Sequence, residues 1–298
     1  MASSETSVVE NISESMQECY ANYVIIDIGA NLTNKKYGRD LDSVIQRAKD
    51  AGMIFNIVTC VQKIMVTGTS LRSSREALRL TRIYPGTLYS TAGIHPHDAK
   101  SWTDGYLDEL KEMALSPECV GIGECGLDYN RDFSSPEVQK EVFELQVKLA
   151  CELGKPLLLH ERDAHQDVVD ILSKYKDHLP PVVIHCFTGT CYLCKDKSDN
   201  GVRKLLEDGL IPMDRLLVET DSPFMYPNTR ASKLPAHVKE ALTERSLTFL
   251  QRYCTFQRNE PCSLPAIVEM IAAFMKKPAE EVALATAFNA LKVFGLSQ

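Results

Sequence analysis

From Tyr23 onward the chain alternates short apolar runs of strand length with segments whose apolar residues recur at helical spacing. The runs YVIIDIGAN (23–31), KIMVTGT (63–69), LYSTAGIHPH (88–97), CVGIGECGLD (119–128), KPLLLHERD (155–163), PVVIHCF (181–187) and RLLVETDSP (215–223) predict strands. Helices are predicted between them near 41–51, 71–83, 136–153, 165–178 and 199–209, and two more follow Ser263. The clearest runs from Pro136 to Leu153. Ser135 suits its N-cap, Pro136 its first position and Gly154 its end, and Val138, Val142, Leu145, Leu149 and Leu153 form one apolar stripe. Alternating units over this length predict an α/β fold of the (β/α)₈ barrel type. A doubly wound open sheet is the competitor, but no GxGxxG follows the first strand to support a dinucleotide site.

Composition narrows the picture in three ways. A chain of 298 residues, 44% of them apolar, can bury a large core, and the unbroken run of units assigns residues 23–298 to a single domain. Residues 1–22 are rich in Ser and Glu without periodicity and are expected to be a disordered arm. A formal net charge of -7 argues against a broad basic surface that grips nucleic acid by counterion release, though not against phosphates held through metal ions. Ten cysteines with no secretion signal predict reduced thiols in an intracellular protein, cytoplasmic or nuclear and not secreted. No apolar run is long enough to span a membrane, and nothing calls for an obligate protein partner.

Four of the strands end in a side chain able to bind a metal: VGIGE in Glu124, PLLLH in His160, VVIH in His185 and LLVETD in Asp221. In an α/β barrel the C-terminal strand ends converge on one face, so these four would meet at one spot. One such histidine alone is better explained as a satisfied polar residue. Packing gives no reason for ionisable groups to recur after four buried strands. Two carboxylates and two imidazoles suit one or two divalent ions with open positions for water and substrate. His95 and His97, in GIHPHD, either line the same mouth as substrate-binding residues or serve the loop. Cys191 and Cys194 form one isolated CxxC, for which buried thiols are the better reading.

Together, IDIGANLT, STAGIHPHD, GIGECGLDYNRDFSSPEVQ, PLLLHERDAH, VIHCFTGT, LLVETDSPFMYP and RNEP (258–261) resemble the TatD family of metal-dependent deoxyribonucleases, which are amidohydrolase-like TIM barrels. The resemblance covers residues 23 to 296. It implies a hydrolase of DNA phosphodiester bonds, with RNA as a further substrate, acting as a 3′ to 5′ exonuclease. It also implies Glu124, His160, His185 and Asp221 as ligands of Mg²⁺, with Mn²⁺ and Zn²⁺ as alternatives. Many relatives carry HxH on the first strand; here Gly29 and Asn31 stand there, so Asn31 supports the site and the deeper metal position is weakened. Phosphodiester cleavage needs an activated water and neutralised phosphoryl charge, which divalent ions supply. Glu124 is the candidate to bridge two ions about 4 Å apart, and Asp221 the candidate ligand and water-orienting base. Arg162 would clamp a phosphate, or else pair with a loop carboxylate. Lys35, Lys36, Arg39, Lys195 and Lys197 are candidates for positive charge at the mouth. Following the resemblance, Arg258 and Glu260 are expected to steady the site as an ion pair.

The spacing also reveals two departures. Glu124 and His160 lie 36 positions apart and His160 and His185 lie 25 apart, each near one unit of roughly 30 residues. His185 and Asp221 are also only 36 apart, where two units belong, and the family's helix and GxYIGITG strand after FTGT are missing. The expected barrel therefore lacks one helix-strand unit after its sixth strand and has seven strands. The missing helix descends the wall and the missing strand climbs back, so a short loop can join the ends. The flanking strands are left with unpaired edges. The second departure is MIFNIVTC (53–60), which predicts an added loop or strand extension. Two other functions compete with the nuclease: a small-molecule amidohydrolase, which normally wants HxH on strand one, and a shortened form that binds metal or nucleic acid without turnover.

Overall fold

The computed structural model describes residues 24–51, 53–54, 57–58, 60–131, 133–186, 201–229 and 234–296, with backbone only at 53–54, 57–58 and 60. The expected N-terminal arm, the CxxC pair, Lys195 and Lys197 lie outside these residues.

Six parallel strands form one curled sheet in sequence order: β1 (Val24–Ala30), β2 (Cys60–Val66), β3 (Leu88–Ala92), β4 (Cys119–Asp128), β5 (Leu157–Arg162) and β6 (Val182–His185). β1, β3 and β4 are buried almost throughout, as strands must be when a sheet is covered on both faces. Ile26, Ile28, Met65, Tyr89, Val120, Leu158 and Val183 point inward from all six strands into one cluster. That cluster is sealed by Ala287, Ala290 and Phe294 of the C-terminal helix. Close approach of β4 and β5 needs glycine at Gly126, where φ is +143° and a Cβ would fall 1.9 Å from the His160 carbonyl oxygen.

The outer layer contains α1 (Leu41–Asp50), α2 (Leu71–Ile83), α3 (Tyr106–Ala114), α4 (Pro136–Leu153), α5 (His165–Ser173), α6 (Gly201–Glu207), α7 (Ala236–Glu240), α8 (Glu244–Tyr253), α9 (Leu264–Met275) and α10 (Ala279–Phe294). The sequence pattern did not predict α3, α7 or α8. α4 has the expected ends, with Ser135 accepting from Val138 N and Gly154 left-handed. Its buried face is rotated from the expected stripe, however. Gln139, Phe143, Gln146 and Val147 are inside, whereas Val138, Leu145 and Leu153 are only half-buried. The glutamines are inside because they satisfy backbone groups at strand ends. Gln146 accepts from Ile94 N (2.8 Å) and donates to Ile94 O (3.1 Å), while Gln139 accepts from Asp128 N (2.8 Å) and donates to Asp128 O (3.0 Å).

The insertion at 53–60 makes a small antiparallel pair, Met53–Ile54 with Ile57–Val58, and its last residue begins β2. The expected strand at 215–223 is not part of the continuous sheet. A 3-10 turn occupies Met213–Arg215, and the chain beyond it runs parallel to β1. Three backbone bonds hold it there: Ile28 N to Val218 O (3.2 Å), Asp221 N to Gly29 O (2.8 Å) and Asn31 N to Ser222 O (2.7 Å). The segment thus takes the place of a barrel's last strand. Among the described residues no strand lies between it and β6, so the sheet has six strands plus this segment rather than seven. Ile184 on β6 is 47% exposed, where a covering unit would bury it.

Candidate metal centre

The strand ends open into a cavity of about 990 Å³. Glu124 and His185 are buried in its floor, at 5% and 3% exposure, while His95 and His160 are half-buried. One atom, Glu124 Oε1, is the focus of three imidazoles: His160 Nδ1 at 3.2 Å, His95 Nε2 at 3.3 Å and His185 Nε2 at 3.6 Å. Asp221 Oδ1 lies 3.6 Å from the same His185 nitrogen and accepts from Asn31 Nδ2 at 2.8 Å. The four strand-end residues predicted as ligands are therefore neighbours in space. His95, expected to meet substrate at the mouth, lies beside Glu124, and His95, Glu124 and His160 offer donor atoms all within 4.8 Å of one another.

Electrostatics reflect this crowding. Burial alone would raise the Glu124 carboxyl, but the charge on His185 and the bonds to His160 and His95 hold it well below the usual carboxylate range. Burial disfavours charge on His185, yet Glu219 and Glu124 outweigh it and hold its pKa well above the usual imidazole value. Asp221 is raised, chiefly by burial, with His185 opposing. Three imidazoles and several carboxylates of low solvent access fit a divalent cation, whose charge would replace protons in offsetting these carboxylates.

A second tier orients the first. Asp128 Oδ2 sits 2.8 Å from His97 Nε2 and 3.2 Å from His160 Nε2, so His97 is tied to the wall rather than to Glu124. Asp128 was not among the predicted residues. Arg162 lines the cavity with Lys100 and Arg131. Lys35, Lys36 and Arg39 do not line it, and Lys36 Nζ instead donates to the Gln257 carbonyl. Arg258 and Glu260 do form an ion pair (3.1 Å), but within a wider network. Buried Glu260 also takes Arg47 at 2.7 Å, and Asp40 takes Arg47 and Arg258. Between them, Asn259 donates to Pro223 O (3.0 Å) through its backbone and to Thr220 O (3.3 Å) through its side chain. The RNEP strap thus holds the chain on both sides of Asp221.

Comparison with known proteins agrees with this picture. The chain is 38% identical over 289 positions to the 3′-5′ ssDNA/RNA exonuclease TatD of Erwinia tasmaniensis, covering 91% of this chain and all of that one. It is 38% identical over 291 positions to the same enzyme of Musicola paradisiaca, covering 92% and 99%. Since 91% of 298 residues falls short of 289, the relatives carry positions with no counterpart here. In fold it is similar to a TatD-family hydrolase of Entamoeba histolytica (TM-score 0.75, 23% identity, 93% and 99% covered). It is likewise similar to the TatD homologue YjjV of Escherichia coli (TM-score 0.72, 24% identity, 93% and 99% covered). The nuclease activity expected from the motifs agrees with the names of the bacterial relatives. A profile of TatD-related DNases matches residues 26–295, and the chain belongs to that family.

Proposed function

We propose that this protein is a divalent-metal-dependent nuclease that removes nucleotides from the 3′ end of single-stranded DNA, with RNA as a second substrate. The observation that carries the reading is the convergence of three imidazole nitrogens on Glu124 Oε1, with Asp221 one nitrogen away, at the bottom of an open cavity. Glu124, His160, His185 and Asp221, joined by His95, would hold one or two ions, Mg²⁺ first and Mn²⁺ or Zn²⁺ as substitutes. Such an ion supplies a water acidic enough to attack near neutral pH and neutralises charge on the phosphoryl oxygens.

The chain's own groups supply the rest. Asn31 fixes one oxygen of Asp221, leaving the other to orient the attacking water. Arg131, Arg162 and Lys100 bring positive charge to a protein that is otherwise acidic, and Arg162 would take a phosphate in two parallel bonds. Phe133 and Phe224 line the same cavity at 51% and 48% exposure, and aromatic rings with this much surface free would stack unpaired bases. That favours a single strand over a duplex or a small amide. Among the described residues no helix is long and apolar enough to cross a membrane.

The test is degradation of 3′-labelled single-stranded DNA with Mg²⁺ or Mn²⁺. Loss of activity in EDTA and in Asp221→Ala is expected, and activity surviving both would refute this site. The open wall beside β6 supports one rival, a scaffold that binds metal without turnover. Metal-dependent thermal stabilisation without hydrolysis of any nucleic acid would favour it.

A further inference from the structure

His185 is held from its far side by a residue that the nuclease reading leaves without a role. Glu219 Oε2 lies 2.5 Å from His185 Nδ1, and its other oxygen accepts from Cys186 N at 2.6 Å. The pair spans the open wall, because Glu219 belongs to the segment beside β1 and His185 ends β6, with no strand between them among the described residues. His185 is 3% exposed, so its Nδ1 is held by protein groups rather than by solvent. The opposite nitrogen, Nε2, is the one that faces Glu124 and Asp221.

Gly29 makes this pairing possible. Its backbone lies against both side chains: a Cβ there would fall 2.5 Å from Glu219 Oε2 and 2.9 Å and 3.0 Å from His185 Cε1 and Nδ1. Any side chain at position 29 would therefore occupy the space in which the carboxylate meets the imidazole. Gly29 stands where many relatives are expected to carry the first histidine of HxH, so its glycine has a steric use beyond the loss of a ligand.

We propose that Glu219 is the positioning residue for His185, its carboxylate retaining the Nδ1 proton so that Nε2 is free for metal, in space that Gly29 leaves open. A carboxylate behind a metal-binding histidine fixes the tautomer and ring orientation, and its loss typically weakens metal affinity 10- to 100-fold. The isostere Glu219→Gln breaks this in a specific way. Glutamine has one acceptor for two donors, Nδ1–H and Cys186 N–H. With its oxygen on Cys186, its amide donates to Nδ1 and drives the imidazole proton to Nε2, where the metal belongs.

The inference rests on the metal-site reading above, and calorimetric titration with Mn²⁺ at fixed pH separates the two. Expected is a 10- to 100-fold loss of Mn²⁺ affinity in Glu219→Gln, and a loss in the same direction in Gly29→Ala, which keeps the carboxylate but displaces it. If Glu219 only stitches the wall, both variants lose stability while their folded fraction binds Mn²⁺ within twofold of wild type, which would overturn the proposal alone. Failure of the wild type to bind Mn²⁺ would overturn the metal site itself. Nitrogen-15 NMR of the Zn²⁺-loaded wild type needs no variant. A proton retained on His185 Nδ1 is expected, and its absence there overturns the assignment even if both variants fail to fold.

Discussion

Asp27→Asn is predicted to stabilise the protein above pH 7 and to weaken it slightly near pH 4. Asp27 lies in the middle of the apolar run of β1 and is completely buried. Its Oδ1 accepts from Gly29 N (3.2 Å) and Thr220 N (3.0 Å), and its Oδ2 from the Thr220 hydroxyl (2.7 Å). These bonds favour the carboxylate, but burial outweighs them and the carboxyl is pushed up to about 7. With the native pKa above the ordinary value of 3.8, the folded state binds the proton more tightly than the unfolded chain does. The stabilising contribution is therefore complete below about pH 4 and lost as pH rises through about 7. The full span is about 4 kcal/mol at 1.36 kcal/mol per pKa unit.

Asparagine removes the titration at small cost. Its Oδ1 can accept the same two amides and its Nδ2 can donate to Thr220 Oγ1, although the threonine hydroxyl then lacks its acceptor, worth about 1 kcal/mol. Urea unfolding of both proteins in EDTA, from pH 5 to pH 8, reads the difference directly, because other titrating groups cancel between them. The variant should gain about 3 kcal/mol relative to wild type across that window. A difference that stays flat across this pH range would show that Asp27 is ionised throughout, with its three donors outweighing burial.

Three further outcomes follow from other contacts. Phe224→Ala should raise KM for single-stranded DNA about tenfold with kcat nearly unchanged, since base stacking is worth about 1–3 kcal/mol; steady-state kinetics on a labelled oligonucleotide reads both. Gln146→Leu strands the N–H and C=O of Ile94 in the core and should cost about 3 kcal/mol in urea unfolding. Arg47→Met leaves buried Glu260 with Arg258 as its remaining ion-pair partner and should destabilise by about 3 kcal/mol, most of it recovered when Glu260→Gln is added in a double-mutant cycle.

What could be read from the sequence was whatever depends on chain direction and period. Glu124, His160, His185 and Asp221 fall around one cavity because parallel strands deliver their C-terminal ends to one face, a rule that needs no knowledge of contacts. The missing unit was legible for the same reason, since too few residues separate His185 from Asp221 to cross the barrel wall twice. Residues whose partners are distant backbone atoms were not legible. Gln139 and Gln146 look like the solvent face of α4, yet they turn inward to serve Asp128 and Ile94. Asp128 and Glu219 look like charges beside a motif, and nothing in their spacing says that each stands behind a histidine of the site. The alternation that marks α3, with Leu107, Leu110 and Met113, was present but spans only two turns.

The shortened wall divides the site unequally. Asp221 is placed from the β1 side, through three backbone bonds, and His185 from the β5 side, through the parallel ladder that ends at the His160–His185 pair. In a closed barrel an intervening strand would tie these two positions by continuous backbone pairing. Here the 3.6 Å between His185 Nε2 and Asp221 Oδ1 is set across the gap by side chains, chiefly the Glu219 carboxylate. A carboxylate bridge is a softer spring than a strand, because it constrains two atoms rather than a run of amides. Perturbations at the gap should therefore change metal affinity more than global stability. Perturbations of the β1 to β5 sheet, where Glu124, His95 and His160 are fixed by ladder and glutamine bonds, should do the reverse.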